Sequence, residues 1–461
     1  MKRGKRIFAA LLAALLLVGT TAGCSESTES SSTAGSSSTE ESSQTGVGQA
    51  ATSETTETNL GDITATVNVW TWEPQENQQA VIDDFNEIYP NITIEFTTVS
   101  SADMPMKIQT ALASGSDVPD VVWSEISNRG KLLALDCWEE LTAEPYNLDE
   151  SLMLDYQIPL SETPSGKLVG IEVSTPVAGL AYKRGLAKEY LGTDDPDELS
   201  EMFQTWDDVI EIGTEVVEKS NGEIRLFTNP DDPFNIIKGQ NQEPYVIENK
   251  LNLSASLTEA FEYVIAMMQA GIVDTIENDT PAEDAAIDGN NHIFFDCPTW
   301  APTWMYKAKD PDGSGDWGLM LPPGGGYMNG GTVVLIPSAA EDKEAAFEYI
   351  NWCYYTIEGA VSNRDNLDYM SCYKPVYEDE EFYSVEDDFF GGQNVLQTYA
   401  QTIIPNTSVP RPVHENDMEV NEAIQIALDT IENSGGDVTV DQIFADMTTE
   451  IQNLVPELEA E

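Results

Sequence analysis

The stretch TATVNVWTWEPQENQQAVIDDFNEIY, Thr64–Tyr89, changes period in its middle, and that change decides the fold. Thr66, Val67, Val69 and Thr71 are β-branched and lie in a short run that suits a buried strand. After Pro74, a residue that a first helical turn tolerates, Val81, Phe85, Ile88 and Tyr89 fall on one helical face. Trp70-Thr71-Trp72-Glu73 lies between the two, at the carboxyl end of the strand. In an open α/β sheet that end is where ligands bind. Two indoles and a carboxylate there suit a flat, hydroxyl-rich ligand; the competing reading packs one indole in the core and the other under the helix.

The unit repeats. Ile92, Ile94 and Phe96 alternate with polar residues as a half-buried strand, and Met106, Ile108, Ala111 and Leu112 make a helix ended by Gly115. Val118–Glu125 reads as a third strand with Trp123 and Glu125 at its exit. Strands alternating with helices predict an α/β fold with a wound, mostly parallel sheet, whose strand ends face one crevice. Further on, Thr205 with Asp208 forms a capping-box start, Leu257–Met268 a helix stopped by Gly271, and Ile293-Phe-Phe a short strand leading to Trp300 and Trp304. Thr332–Ile336 is an unbroken apolar strand, and two helices close the chain.

At 461 residues the chain is long for one core, so two domains are expected. Lys2, Arg3, Lys5 and Arg6 precede a twelve-residue apolar run, Ile7–Val18, too short to span a bilayer. Thr-Thr-Ala-Gly-Cys follows, ending at Cys24, and resembles the lipobox of bacterial lipoproteins, with Thr21 where Leu is usual. That resemblance implies a signal peptide over 1–23 and a lipid on Cys24. Residues 24–62 then form a Ser/Thr/Glu tether, too polar to fold, that holds the body outside the cell membrane. The formal charge of −60 repels nucleic acid and anionic lipid, so neither is an expected partner beyond the anchor itself.

With Cys24 set aside, Cys137, Cys297, Cys353 and Cys372 allow three full pairings that sequence cannot rank. No CxxC occurs and there are two histidines, His292 and His414, so no zinc site is expected, nor a cofactor, nor a catalytic nucleophile. Asp310-Pro-Asp-Gly-Ser-Gly-Asp316 has half the pattern of a calcium loop, but its twelfth position is Leu321, and an acidic turn is the better reading.

Seven landmarks in one order carry a family resemblance. VNVWTWEP, FNEIYPNITIEF and MKIQTALASGSDVPDVVW are followed by Gly166–Glu172 with Leu180–Lys183, and by Thr205-Trp-Asp-Asp. Asp296-Cys-Pro-Thr-Trp300, Gly330–Pro337 with Glu344–Ile350, and Val409-Pro-Arg-Pro412 complete the series. Together, over about residues 63–455, they resemble the extracellular solute-binding proteins of ABC importers, in the sugar-binding group that includes maltose-binding protein. The resemblance implies a two-lobed periplasmic-binding-protein-like fold, each lobe a wound mostly parallel sheet flanked by helices. The first lobe takes 63–175 plus 330–372, the second 176–329 plus 373–461, and the crossings form a multi-segment hinge. It implies a monomeric, non-enzymatic receptor that hands a sugar or oligosaccharide to a membrane permease.

The expected ligand-binding residues are Trp72, Glu73, Trp123, Glu125, Glu172, Trp300, Trp304, Asn329 and Arg411. Indole faces stack on pyranose C–H faces, while carboxylate, amide and guanidinium groups bond its hydroxyls. Trp300 matches the family position that stacks on sugar; Trp304 stays open between site and core, and Arg411 between ligand contact and an interlobe ion pair. Two alternatives remain: a cation such as a polyamine in the same fold, and a glycan hydrolase, which needs two opposed carboxylates in a cleft. Cys24→Ala is expected to abolish lipidation without changing ligand affinity. Mass spectrometry of the membrane-extracted protein checks this, and a wild type lacking lipid would contradict it.

Overall fold

The computed structural model describes residues 63–461, so the signal segment, Cys24 and the tether lie outside the described residues. The opening stretch folds as its period demands. Strand β1 (Ala65–Thr71) precedes a helix, Gln75–Ile88, with Pro74 at its N-cap. That helix buries Gln78, Val81, Ile82 and Phe85. Ile88, expected on the buried face, is exposed, because Ile82 occupies the centre of the stripe and leaves Ile88 at its edge.

Two sheets follow. The first contains β1, β2 (Ile92–Thr98), β3 (Val121–Glu125), β4 (Gly170–Glu172) and, late in the chain, Thr332–Leu335, in the order β2-β1-β3-(332–335)-β4. β1 pairs in parallel with β2 and with β3, whereas Thr332–Leu335 runs antiparallel to both β3 and β4. Alternation divides its side chains cleanly. Val67, Val69, Val121, Trp123 and Val334 join one core with Phe85 and Ile350. Trp70, Val122, Val333 and Leu335 join another with Ile108 and Leu132.

The second sheet centres on β5 (Val177–Lys183), flanked by Phe294–Pro298 on one side and by Trp317–Met320 and Tyr327–Met328 on the other. Here the expectation of a mostly parallel sheet in each lobe is corrected, since every pairing is antiparallel. A parallel neighbour needs a crossover that returns the chain to its starting end. The long helical insert between β5 and Phe294 leaves the chain at the other end, so it runs back along β5. Alternation again splits the faces: Ala178, Leu180 and Tyr182 pack into the core that holds helix Leu253–Ala270, Val177 and Ala181 into the one that holds Trp317 and Tyr399.

Between the two sheets three stretches run side by side. Val173 N–H donates to Thr332 O (2.8 Å), Thr175 N–H to Met370 O (2.9 Å) and Asn329 N–H to Pro176 O (3.0 Å). Under this junction lies a fully buried ion pair. Arg129, on helix Ile126–Leu133, reaches Glu172 at the end of β4, Nη2 to Oε1, at 3.1 Å. Glu172 was expected at the ligand. It has no exposure, and burial pushes its carboxyl above the usual range even against the Arg129 guanidinium.

Cys137, Cys297, Cys353 and Cys372 are all free thiols. Among the described residues no helix is long and apolar enough to cross a membrane, and no cluster of metal-ligating side chains forms. Asp310 is occupied by the ammonium of Lys183 and by Trp317 Nε1 (2.9 Å), so the half calcium loop is a structural turn. His292 pairs with Asp274 at 3.2 Å, and His414 accepts at Nδ1 from the Asn416 amide. Truncating one member of the buried pair leaves an uncompensated charge, a cost of about 3–5 kcal/mol. Glu172→Ala is therefore expected to lower the free energy of urea unfolding by that amount; a loss below about 1 kcal/mol would contradict the role given to the pair.

Candidate functional site

The carboxyl ends of β1 and β3 deliver their exits side by side because the strands are parallel neighbours. Trp72 and Trp123 meet edge to face, ring centroids 5.6 Å apart at 81°. Trp123 is almost wholly buried and backed by Phe96, while Trp72 is half-buried. Thus Trp70 is the core indole of the opening motif and Trp72 the available one. Glu73 accepts from Asn77 Nδ2 (2.7 Å), four residues on in the following helix. Glu125 caps the helix Ile126–Leu133, accepting from the Ser127 amide (2.8 Å) and its hydroxyl. Each carboxylate is aimed by the helix that follows its strand.

Opposite them stand Trp300 and Trp304, one helical turn apart, with Trp304 N–H on Trp300 O at 3.2 Å. Trp304 is 40% exposed, which removes it from the core and leaves it at the mouth. The four indoles, Glu73 and Glu125 enclose a chamber of about 360 Å³, floored by Gly330, Gly331 and Thr332. The floor is glycine for a steric reason. Gly331 has φ +110°, and a Cβ there would come within 2.7 Å of Glu172 Oε1; Gly330 has φ +77°. The buried pair therefore supports the chamber from beneath.

Tyr369 completes the wall and was missed by sequence reasoning. Burial, with the negative charge of Glu73 nearby, pushes its phenol above the usual range. Its only signal was proximity to the expected crossing near 372.

A second chamber of about 390 Å³ shares Trp300 and Trp304 with the first. Its other walls all come from residues 228–329: Asp232 and Asn235 from helix Asp231–Gln240, Asn278, Asp279, and Asp296 from the strand that leads to Trp300. Asn329 is here too, donating from Nδ2 to Asp296, which also accepts from the Tyr327 hydroxyl. Burial pushes the Asp296 carboxyl up to about 7 and, with the Asp296 charge beside it, holds Asp232 well above its usual range. These carboxylates went unread, although Asp296 stands inside the Asp296–Trp300 motif.

Arg411 is elsewhere. It lines a third chamber of about 270 Å³ with Lys238, Asn235 and Asn329. Its Nη1 bonds Asp417 at 2.8 Å and its guanidinium lies 3.7 Å over the Tyr245 ring. The ion pair considered for it is therefore made within the C-terminal segment, not between lobes.

Residues 80–359 match the bacterial extracellular solute-binding protein family. The lactose-binding protein of Rhizobium radiobacter is 24% identical over 376 residues, 77% of this chain and 85% of its own. Among solved structures, an extracellular solute-binding protein of family 1 superposes with a TM-score of 0.74 at 19% identity, covering 84% of this chain and 99% of that one. The galacto-N-biose/lacto-N-biose I-binding protein of Bifidobacterium longum, in complex with lacto-N-biose, gives 0.67 at 18% identity over 86% and 99%.

The Asp296 shift has a sign that can be checked. Its folded pKa near 7 exceeds the ordinary 3.8, so between those values the folded state holds a proton that the unfolded state has lost. Its contribution to stability accordingly falls as pH rises through 7. The melting temperature of wild type minus that of Asp296→Asn should drop between pH 5 and pH 8; a difference independent of pH would contradict the burial.

Proposed function

The chain belongs to the bacterial extracellular solute-binding protein family, and on that premise we propose that it captures a carbohydrate between its lobes. It then hands the ligand to the permease of an ABC importer, anchored outside the cell by lipid on Cys24. The lobes are 63–175 plus 330–372 and 176–329 plus 373–461. The observation that carries the reading is the chamber in which Trp72 and Trp123 from one lobe face Trp300 and Trp304 from the other. Such walls stack on sugar rings, and Glu73 and Glu125, held at one side by Asn77 and Ser127, keep acceptor capacity for hydroxyls. The lactose-binding relative and the lacto-N-biose complex support a sugar as the ligand class. A binder fits this chamber better than a hydrolase, because Glu73 and Glu125 follow neighbouring parallel strands and so stand on one side of the chamber rather than opposed across it.

Ligand contact is proposed for Trp72, Glu73, Trp123, Glu125, Trp300, Trp304 and Asn329. Glu172 acts from beneath the floor, and Arg411 sits in the adjoining third chamber. A second reading, a cationic solute such as a polyamine, is favoured by the acidic second chamber. Salt separates the two, because screening shrinks the Debye length from about 10 Å at 0.1 M to about 3 Å at 1 M and leaves stacking intact. By calorimetry, Trp300→Ala is expected to weaken sugar binding by more than about 2 kcal/mol, and the wild-type Kd to change little with salt. A tenfold loss with salt, together with a silent Trp300→Ala, would favour the cation.

A further inference from the structure

The first chamber accounts for one ring of a ligand and leaves the second without a role. The second is larger, about 390 Å³ against about 360 Å³, and the two share Trp300 and Trp304 as a common wall. Its floor is apolar, with Phe295, Ile287 and Tyr306 all buried, and so suits the C–H face of a ring. Its rim carries the carboxylates of Asp232, Asp279 and Asp296 as acceptors, and the side-chain amides of Asn235 and Asn278, whose oxygens accept from Lys238 Nζ (2.8 Å) and Asn229 Nδ2 (2.7 Å) and whose N–H groups are left to donate. Lys309 is the cation in this wall, and its charge is met by Glu283 (2.8 Å) and Asp284 (3.1 Å). Among the described residues, Asp232, Asp279 and Asp296 form no ion pair. Hydroxyl donors of a ligand match such a rim, and an anionic group does not.

We infer that the ligand has at least two sugar rings, the first between the lobes and the second, neutral and with free hydroxyls, in the second-lobe chamber behind Trp300 and Trp304. This rests on the carbohydrate reading and adds to it the ligand's length and the residues that select the second ring. Asp232, Asn278 and Asp296 become specificity-determining. Because the second chamber is built by one lobe, its ring is held whether the lobes are open or closed. Trp300 and Trp304 serve both rings.

The test is calorimetry on the full chain with glucose and galactose, and with maltose, cellobiose and lactose. The best disaccharide should bind at least about tenfold more tightly than its component hexoses, a difference of about 1.4 kcal/mol. Asp232→Asn and Asn278→Ala should each weaken that disaccharide about fivefold or more and leave hexose binding unchanged, while Trp72→Ala weakens both. Thermal melts confirm that each variant is folded, and a variant that fails is replaced by Asn278→Ser or Asp232→Ser. A hexose that binds as tightly as any disaccharide would overturn the inference alone. So would second-chamber variants that weaken both ligand sizes equally or neither. Absence of binding by every sugar would overturn the carbohydrate reading itself, and this inference with it.

Discussion

The buried contact between Arg129 and Glu172 is the constraint on which the cleft depends. Neither side chain has any exposure, and the pair ties the helix after β3 to the end of β4, 43 residues later in the chain. Two charges out of water repay their desolvation only with good geometry and full hydrogen bonding. Here burial still dominates the Glu172 carboxyl, and its second oxygen has no protein partner. The contribution is therefore chiefly positional. Glu172 sets the height of the floor, Gly331 must be glycine to lie on it, and Gly330 passes 3.4 Å from Trp300 Nε1 when measured from an added Cβ.

From that floor the walls follow. Parallel pairing of β1 with β3 brings Trp72 and Trp123 together from stretches some fifty residues apart, and the helix after each strand fixes the adjacent carboxylate. The second lobe meets them with a helical turn bearing Trp300 and Trp304. Aromatic walls give a sugar ring large contact area at low side-chain entropy, and hydroxyls find carboxylate and amide acceptors at the edges. A ligand that touches both lobes favours the closed arrangement by its differential affinity for it. The hydrogen bonds at residues 173–176, 329–332 and 370 hold the crossing stretches in register while leaving few residues to bend.

The first lobe was legible because strand and helix periods are local. Val67, Val69 and Phe85 announce their faces within one stretch; Trp72 and Trp123 were singled out by their place at strand exits, and Trp300 by the resemblance of Asp296–Trp300 to a family motif. Glu172 misled because it was taken from the crossing segment Gly166–Glu172, and only Arg129, remote in sequence, shows that it is buried under the floor. The antiparallel second sheet was hidden because strand direction depends on where a long helical insert returns the chain. Asp232 and Asp296 were hidden among 81 acidic residues, where no local pattern separates a cavity carboxylate from a solvated one. Arg411 lines the adjoining chamber, and its motif gave no sign that Asp417 and the Tyr245 ring hold its guanidinium there.

Small-angle X-ray scattering on the soluble body, with and without a saturating sugar identified by titration, tests the central claim that a carbohydrate is enclosed between two hinged lobes. A smaller radius of gyration in the bound state is the result this account requires. Identical curves at saturation would contradict it.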